Sequence, residues 1–355
     1  MKHRSAQKKI QKKRKLINRG NKKVIYRVIS IVLLLFVSTL FLGGFFTLQH
    51  LNKSFASALA SDNLHYSVES EDFPTLIYAV VKDIKSDPIE ISDLKYLIFD
   101  RNGGKVVSYS IPVGQKFDIS GKFGEEELSK TLALSALNSS DPFGDGGKIL
   151  KNTTLKIFGF KVDRVLIVDR AESRLFDDLL GNGSFLDFIR LKDVFNIREY
   201  FKTDLSLAEF YSLFSFVKSL PNDRIVSKTL VSSDFENSSA IDASYEDMGL
   251  DSAIAQEAKS ISILNGTNTP GIASLGARVV NNVGGRIVAS GNADKAYNTS
   301  VIVSDDPNSE TCKFLSRAFH ITNIVSKSSG AIQEHEVDRS DIVVIIGFDT
   351  SDRLY

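Results

Sequence analysis

VISIVLLLFVSTLFLGGFF, residues 28–46, is the stretch that divides this chain into parts lying in different solvents. It runs for nineteen residues without a charge, and a helix of that length crosses a hydrocarbon core of roughly 30 Å. Eleven Lys and Arg residues lie among the first 24 residues, Arg27 stands at the boundary, and no acidic residue precedes Asp62. Because Lys and Arg beside the first span remain in the cytoplasm, the sequence predicts a single-pass membrane protein with a basic cytoplasmic tail at 1–27 and an extracytoplasmic remainder.

Two other interpretations of Val28–Phe46 are weaker. A cleaved secretory signal has a shorter apolar region, of roughly 7–15 residues, followed directly by a small-residue cleavage site, whereas Ala58-Leu59-Ala60 lies well beyond this run. A buried core helix gives no reason for the dense basic flank. Anionic lipid at the cytoplasmic surface attracts Lys and Arg. The lipid bilayer is therefore a sufficient partner for the tail, and no nucleic acid is required.

The charges divide unevenly between the two sides of the predicted span. Residues 1–60 hold thirteen of the 44 Lys and Arg residues and none of the 43 acidic residues, which leaves 31 basic against 43 acidic residues, a formal charge of −12. An acidic exterior argues against nucleic-acid binding, because Lys and Arg contacts with phosphate supply most of that affinity. Cys312 is the single cysteine, so the outer part depends on its apolar core without an internal disulfide. These features suit a bacterial envelope protein.

Strand and helix patterns alternate after a polar stalk predicted at residues 47–72. Short β-branched and aromatic runs predict strands, and the Asn-Gly-Gly after Arg101 predicts a hairpin turn, because its glycines permit positive φ. Apolar residues spaced three and four apart predict helices. The strands are expected at Thr75–Val81, Leu94–Asp100, Lys105–Ile111, Val162–Asp169 and Arg224–Val231, and the helices at Glu125–Leu137, Lys148–Phe158, Glu172–Leu180 and Ser206–Leu220. This alternation predicts an α/β layered domain at residues 73–231.

A second, smaller domain is predicted at residues 260–349. It follows an acidic, Ser/Asn-rich linker at 232–259 whose second half, around Ala253–Ala258, is expected to be helical. The order of elements in the second domain is βαββαβ, with two helices on a sheet of about four strands, which is a split βαβ arrangement. Its strands begin at Ile261, Arg286, Thr299 and Asp341, its helices are Gly271–Gly284 and Glu310–His320, and a weak element lies at Asn323–Ser326. The fold class predicted for the whole outer part is α/β.

Short motifs in this second domain resemble a known family. They are Leu264-Asn265-Gly266-Thr267, Pro270-Gly271 before a helix with Ala273 and Ala277, Gly291-Asn292-Ala293-Asp294, Asp305-Asp306-Pro307 and the final DIVVIIGFD at Asp341–Asp349. In this order they resemble the C-terminal domain of LytR-type proteins, over roughly residues 260–349. The motifs also have local causes, since Gly271 frees the start of a helix and Gly284-Gly285 is a helix stop.

The first outer domain is then similar to a degenerate LytR–CpsA–Psr domain. The strand, the hairpin, Ser110-Ile111-Pro112 and the helix within Thr203–Leu220 follow that family's order. The resemblance implies a link to the transfer of polyprenyl-phosphate-linked glycopolymers onto the bacterial cell wall, in which arginines and acids hold a pyrophosphate. The chain departs from the family pattern at three places: Val113-Gly114 replaces an arginine-aspartate pair, Val80–Ile84 lacks Gly-Ser-Asp-x-Arg, and the later arginine-rich segment is reduced to Arg190 and Arg198.

The missing arginine decides the predicted function. Cleavage of a pyrophosphate requires positive charge on the developing phosphate oxygens, so the sequence predicts a non-catalytic envelope protein that binds or organises cell-wall or glycopolymer assembly, with glycopolymer or other envelope proteins as partners. The alternative is an active phosphotransferase whose phosphate clamp is rebuilt from Lys82, Asp83, Arg101, Arg164 and Arg190. Candidate ligand-binding residues of the second domain are Asn265, Gly266, Thr267 and Asn292, although turn structure alone also explains the amides and hydroxyls there.

The other short motifs in the sequence do not predict a catalytic or metal-binding site. Phe143–Lys148 (FGDGGK) has Pro142 and Ile149 where a P-loop needs Gly and Ser/Thr, so a plain loop is expected. None of the five histidines has metal-ligand spacing, and His335 between two glutamates is expected in a solvated loop. Cys312 has no CxxC partner and is expected to be a buried, inert thiol. The sequence therefore predicts no metal and no cofactor.

Overall fold

The computed structural model of the protein describes residues 29–46, 49, 66–174, 199–235, 241–243, 245 and 253–355. Its first helix, α1 (Ile29–Phe46), is 18 residues long, has a mean hydropathy of 2.5 and is apolar enough to cross a membrane. Val28, the basic tail and most of the predicted stalk lie outside the described residues. The chain divides into two compact units, Met1–Lys53 and Ser54–Tyr355.

The first part of the second unit is built on a six-stranded mixed sheet. Its elements are β1 (Thr75–Val81), β2 (Ile91–Asp100), β3 (Lys105–Ser110), β4 (Lys116–Ile119), β5 (Gly124–Glu127), α2 (Thr131–Asn138), α3 (Pro142–Phe158), β6 (Arg164–Asp169), β7 (Phe201–Thr203), α4 (Leu207–Ser219) and β8 (Ile225–Thr229). The strand order is β7-β6-β1-β2-β3-β8. β1 is buried along its whole length, as expected for a β-branched run in the middle of a sheet.

Register within this sheet confirms the predicted hairpin. β2 and β3 pair antiparallel, with Asp100 opposite Lys105 across the turn. β1 pairs antiparallel with β2 and parallel with β6, where Leu76 lies opposite Arg164. The carboxyl ends of β1 and β6 therefore meet at one edge of the sheet and their amino ends at the other. The predicted helix Glu172–Leu180 lies mostly outside the described residues.

The helix predicted at Glu125–Leu137 is wrong in its first half. Residues 124–127 form β5, which pairs antiparallel with β4 and places Glu127 opposite Lys116. Opposite charges directly across a strand pair are favourable, and this pairing outweighs the helix propensity of three consecutive glutamates. The regular helix α2 begins only at Thr131.

The glycine-rich loop predicted at residues 143–148 is the first part of α3. The Asp141 side chain accepts a hydrogen bond from the Gly144 N–H at 3.0 Å and caps the helix, and Pro142 occupies the first turn, where its missing N–H costs nothing. Gly146 is buried against α2, because a Cβ there would lie 2.5 Å from Leu132 Cδ2. Gly146 thus serves close helix packing, whereas Gly144 leaves room for the capping carboxylate of Asp141.

The second part of the unit has the predicted βαββαβ order. The weak element predicted at Asn323–Ser326 is a short fifth strand, and a C-terminal helix that the sequence did not indicate follows the last strand. Its elements are α5 (Ala253–Glu257), β9 (Ser260–Asn265), α6 (Ile272–Asn281), β10 (Arg286–Asn292), β11 (Val301–Ser304), α7 (Glu310–Phe319), β12 (Ile324–Val325), β13 (Ile342–Ile346) and α8 (Phe348–Leu354). The sheet order is β10-β9-β13-β11-β12. β9 runs parallel to β10 and β13, and the predicted α/β class is confirmed.

The two parts share one apolar core. Buried residues of β1, β2, α6 and α7 belong to a single contiguous cluster that also includes Ile241 and Tyr245 of the predicted linker. α6 also contacts the end of α3: Arg278 donates to the Lys156 and Ile157 carbonyl oxygens at 3.0 Å each, and Asn282 donates to the Gly159 carbonyl oxygen at 2.9 Å. The last carbonyls of a helix need such partners. The boundaries at 73–231, 232–259 and 260–349 stay predictions.

Candidate functional site

A cavity of 610 Å³ lies at the carboxyl ends of β9 and β10. It is bounded by residues 265–271 on one side and 292–296 on the other, and we call it the end-of-sheet cleft. All four candidate ligand-binding residues line it: Asn265, Gly266, Thr267 and Asn292. Open α/β sheets bind ligands at the carboxyl ends of their parallel strands, so the position and the volume both suit a binding site.

The first wall of the cleft is a turn fastened by Asn265. Its Nδ2 donates to the Thr269 carbonyl oxygen at 2.9 Å, and its Oδ1 accepts hydrogen bonds from the Thr267 N–H at 2.9 Å and the Thr267 hydroxyl at 2.7 Å. The Thr269 hydroxyl is 2.6 Å from the Ser351 hydroxyl of α8. Asn265 and Thr267 are thus engaged with the turn itself, and they shape the cleft.

Gly266 allows the two walls to approach each other. A Cβ at this position would lie 3.0 Å from Tyr297 Cβ and 3.1 Å from Ile345 Cγ2. The Gly266 N–H donates to the Ile346 carbonyl oxygen at 2.9 Å, and its carbonyl accepts from the Tyr297 N–H at 2.8 Å. The turn, the second wall and β13 are therefore connected through one residue that has room for no side chain.

The second wall is held by Glu334, which sequence reasoning missed. Glu334 is 5% exposed; one of its carboxylate oxygens accepts from the Asp294 N–H at 2.8 Å and the other from the Tyr297 hydroxyl at 2.7 Å. Burial and this hydrogen bond both raise the pKa of Tyr297. The neighbouring His335 is exposed, as predicted. Nothing in the sequence Glu334-His335-Glu336 indicates that Glu334 is buried.

The polar groups that remain for a ligand are mostly uncharged. The side-chain amides of Asn268 and Asn292 line the cleft, and within the part of the chain that the structure describes neither makes a hydrogen bond to another residue. Asp294 and Lys295 contribute one negative and one positive charge, and the Lys295 ammonium lies 5.4 Å from the Tyr297 ring centre. The cleft is preorganised and carries no net charge.

The candidate phosphate clamp does not assemble in the described residues. Lys82 and Asp83 follow the carboxyl end of β1, where Lys82 pairs with exposed Glu90 and Asp83 accepts from the Lys85 N–H at 2.8 Å. Arg101 and Arg164 lie toward the amino end of that strand, about 23 Å away for seven residues of extended chain. Arg101 donates to the Ser212 hydroxyl at 3.1 Å. Arg190 lies outside the described residues.

Arg164 belongs to a second constellation, which we call the ion cluster. It consists of three cations and three carboxylates: Glu71, Lys161, Asp163, Arg164, Glu209 and Arg317. Lys161 is 3% exposed and donates to Asp163 at 2.6 Å and Glu71 at 3.0 Å. Arg164 donates to Glu209 at 2.8 Å, and Arg317 of α7 pairs with Glu71. Each cation of the cluster thus has a carboxylate partner.

Tyr66 completes the cluster. Its hydroxyl donates to Asp163 at 2.6 Å, and the guanidinium carbons of Arg164 and Arg317 lie 5.0 and 4.9 Å from its ring centre. Burial acts to raise the pKa of Asp163, but the charge and hydrogen bonds of Lys161 outweigh it and hold that pKa below its usual value. The cluster therefore stabilises the contact between the first part and α7.

Metal and thiol chemistry gain no support. No group of three or more His, Cys, Asp or Glu side chains within the described ranges is placed to hold a metal ion. Cys312 is buried as predicted, and burial raises the pKa of its thiol to about 11. A thiol in this state is a poor nucleophile at neutral pH.

Comparison with known proteins identifies the second part. Residues 259–349 match the family model described as LytR cell envelope-related transcriptional attenuator, which confirms the resemblance inferred for residues 260–349. No curated protein matches the chain.

Solved structures that are similar to this chain include the following three. TagT bound to LIIa-WTA is 13% identical, over 54% of this chain and 95% of that one, with a TM-score of 0.35. The LytR-CPS2A-psr family protein YwtF (TagT) with bound octaprenyl pyrophosphate lipid is 13% identical over the same shares, with a TM-score of 0.34. The transcriptional regulator yvhJ from Bacillus subtilis is 11% identical, over 51% and 99%, with a TM-score of 0.35.

Proposed function

We propose that this chain is a membrane-anchored cell-envelope protein that takes part in glycopolymer assembly by binding rather than by catalysis. The observation that carries the proposal is the end-of-sheet cleft. It lies within the segment that matches the LytR C-terminal family, its walls are fixed by internal hydrogen bonds, and it contains amides that are available to a ligand. A preorganised site of this kind loses little conformational entropy on binding.

The proposed anchor is α1, with the amino terminus in the cytoplasm and Ser54–Tyr355 outside. The apolar length of Ile29–Phe46 and the basic residues before it support this placement, because a Lys and Arg excess beside the first span retains that end in the cytoplasm. A tag fused after Tyr355 should be labelled by an impermeant reagent on intact cells. Labelling only after permeabilisation would overturn the proposed orientation.

The described residues favour binding over transfer. A transferase acting on a pyrophosphate needs several cations aimed at one group of phosphate oxygens. Here the cations of the ion cluster are paired with carboxylates, and Lys82 lies at the other end of β1 from Arg101 and Arg164.

The test uses the full chain in lipid nanodiscs with a lipid-pyrophosphate-linked oligosaccharide. We expect more saccharide to be retained on nanodiscs that carry the protein than on empty nanodiscs, which hold the probe only through its lipid, and we expect no release of lipid phosphate. Turnover well above that of empty nanodiscs would contradict the non-catalytic proposal, whereas absence of both retention and release would contradict binding as well.

One observation favours the alternative, an active phosphotransferase. β1 and β6 are parallel and end side by side, and the Ile84 N–H after β1 donates to Asp169 at the end of β6 at 2.8 Å. Lys82 and Asp83 therefore lie at the kind of sheet edge where α/β proteins bind substrates. If lipid phosphate is released, Lys82→Ala should abolish the release. Unchanged release in Lys82→Ala would exclude this edge as the catalytic site.

A further inference from the structure

We propose that the end-of-sheet cleft recognises the uncharged hydroxyl groups of a saccharide chain, and not the phosphate groups of a glycopolymer. This inference rests on the proposed binding function and assigns it a ligand class. The contact groups are the side chains of Asn268, Asn292 and Asp294, while Asn265, Gly266 and Thr267 hold the shape of the cleft.

The free side chains match hydroxyl groups. An asparagine amide offers a carbonyl acceptor and two N–H donors, so it can accept a hydrogen bond from one hydroxyl and donate to the next along a sugar ring. Asn268 and Asn292 stand on opposite walls of the cleft. The exposed Asp294 carboxylate adds an acceptor. Thr267 is excluded as a main contact, because its hydroxyl already donates to Asn265 and accepts from the Thr269 N–H at 3.0 Å.

The side chains of the cleft give an anion no net attraction, and the positive end of a dipole, at the amino terminus of α6 beside Gly271, acts without a convergent set of cations. Lys295 is the one cation among the residues described as lining the cleft, and Asp294 stands next to it with the opposite charge. An incoming phosphodiester would approach that carboxylate as closely as the ammonium. Phosphate sites use several convergent cations or guanidinium forks, which the described lining of this cleft does not provide.

The rigidity of the second wall also points to a ligand. Within the described residues Glu334 has no ion pair with a cation, and its two carboxylate oxygens accept hydrogen bonds from the Asp294 N–H and the Tyr297 hydroxyl. A buried carboxylate is costly unless its hydrogen bonds compensate, and the group that it fixes here is a loop whose residues 294–296 are exposed. Because the loop is held in one conformation, Asn292 and Asp294 are already positioned before a ligand binds.

The cleft is open along β10, so it can accept the interior of a chain as well as an end. β10 is an edge strand, and Ser290, Gly291 and Asn292 are exposed on it. A saccharide longer than the cleft can therefore continue beside these residues. We expect affinity for a tetrasaccharide to exceed that for the corresponding monosaccharide.

The test compares two probes on the full chain in nanodiscs by isothermal titration. One is a neutral N-acetylglucosamine tetramer and the other is a glycerol-phosphate oligomer of similar length. We expect the neutral probe to bind with an affinity that does not change with salt, because screening acts on charged contacts. Asn268→Ala and Asn292→Ala should each weaken it about three- to tenfold, the effect of one lost hydrogen bond.

Two control variants make the outcome decisive. Asn323→Ala removes an exposed asparagine outside the cleft and should leave affinity unchanged. Lys295→Ala removes the positive charge of the cleft lining and should weaken neutral-probe binding less than either asparagine variant does. Salt-sensitive binding of the glycerol-phosphate probe alone, lost in Lys295→Ala, would overturn the ligand class while leaving the binding function in place. Neutral-probe binding that neither asparagine variant weakens would overturn the site, and failure of both probes to bind would contradict the proposed function itself.

Discussion

The ion cluster lies at the amino ends of β1 and β6, whereas the end-of-sheet cleft lies at the carboxyl ends of β9 and β10. In the ion cluster, buried Lys161 and three buried carboxylates lie against the half-buried Arg164 and Arg317, and burial is tolerated because each charge is paired. In the cleft, amides without a described partner face open space, and the buried carboxylate of Glu334 supports them from behind. The ion cluster, where the charges are concentrated, is therefore structural. The end-of-sheet cleft, where uncharged amides have no described partner, is the candidate binding region.

Breaking the ion cluster should have the largest effect. Lys161→Ala leaves Asp163 and Glu71 buried without their shared cation, and we expect a loss of about 3–5 kcal/mol in the free energy of unfolding. Urea unfolding of the full chain in detergent measures it. The matched control is Lys82→Ala, which removes a lysine from an exposed pair with Glu90 and should change stability little. Equal losses in the two variants would refute the contrast between buried and exposed charge.

The pH dependence of stability also tests whether buried, paired charges stabilise the fold more than exposed charges do. Burial acts to raise the pKa of Glu209, but hydrogen bonds and the charge of Arg164 outweigh it and hold that pKa below its usual value. A carboxyl with a depressed folded-state pKa stabilises the fold above its unfolded pKa, about 4.3 for glutamate, and this contribution is lost as pH falls through the folded-state value.

Glu209→Gln should therefore lower the free energy of unfolding by about 1.5–3 kcal/mol at pH 7, and the difference from the unmodified chain should shrink as pH falls below about 4. Urea titrations at a series of pH values measure it. Glu125→Gln, at an exposed position in β5, is the control. A difference that stays constant down to pH 2 would show that the ion pair with Arg164 is not its origin.

Filling the base of the cleft should have the smallest effect on stability and a clear effect on binding. Gly266→Ala brings a methyl group within 3.0 Å of Tyr297, and we expect a loss of about 1–3 kcal/mol as the second wall shifts. Gly291→Ala is a close control, because a Cβ there meets nothing within 4 Å. If Gly266→Ala and Gly291→Ala have the same free energy of unfolding and the same affinity for the neutral probe, the close approach at Gly266 does not shape the cleft.

Much of the fold could be predicted because its signals are local. The bounds of Thr75–Val81 were predicted correctly, since a continuous β-branched run is buried on both faces. The candidate residues Asn265, Gly266, Thr267 and Asn292 were selected from predicted turns that carry amides and hydroxyls. The structure places all four at one cleft, and their ligand-binding role stays a prediction.

The predictions were wrong where contacts between residues distant in sequence override the local preference for a helix or a loop. Residues 125–127 form a strand because β4 lies beside them, and Gly146 of α3 reflects packing against Leu132. Glu334 is buried by a loop whose path has no periodic pattern. The pairing of Arg317 with Glu71 joins residues far apart in sequence, so no spacing rule could reveal it.

The contact between α6 and α3 limits how the chain can be divided. Arg278 and Asn282 act as the C-terminal cap of a helix that belongs to the other predicted domain, and Asp242 orients the guanidinium at 2.8 Å. A protein shortened before residue 259 would leave the carbonyl oxygens of residues 156–159, at the end of α3 and its cap, without these side-chain donors. It would also uncover apolar side chains of the shared core. We therefore expect the LytR-type segment and the first part to fold together, because one caps a helix of the other and their apolar cores are continuous.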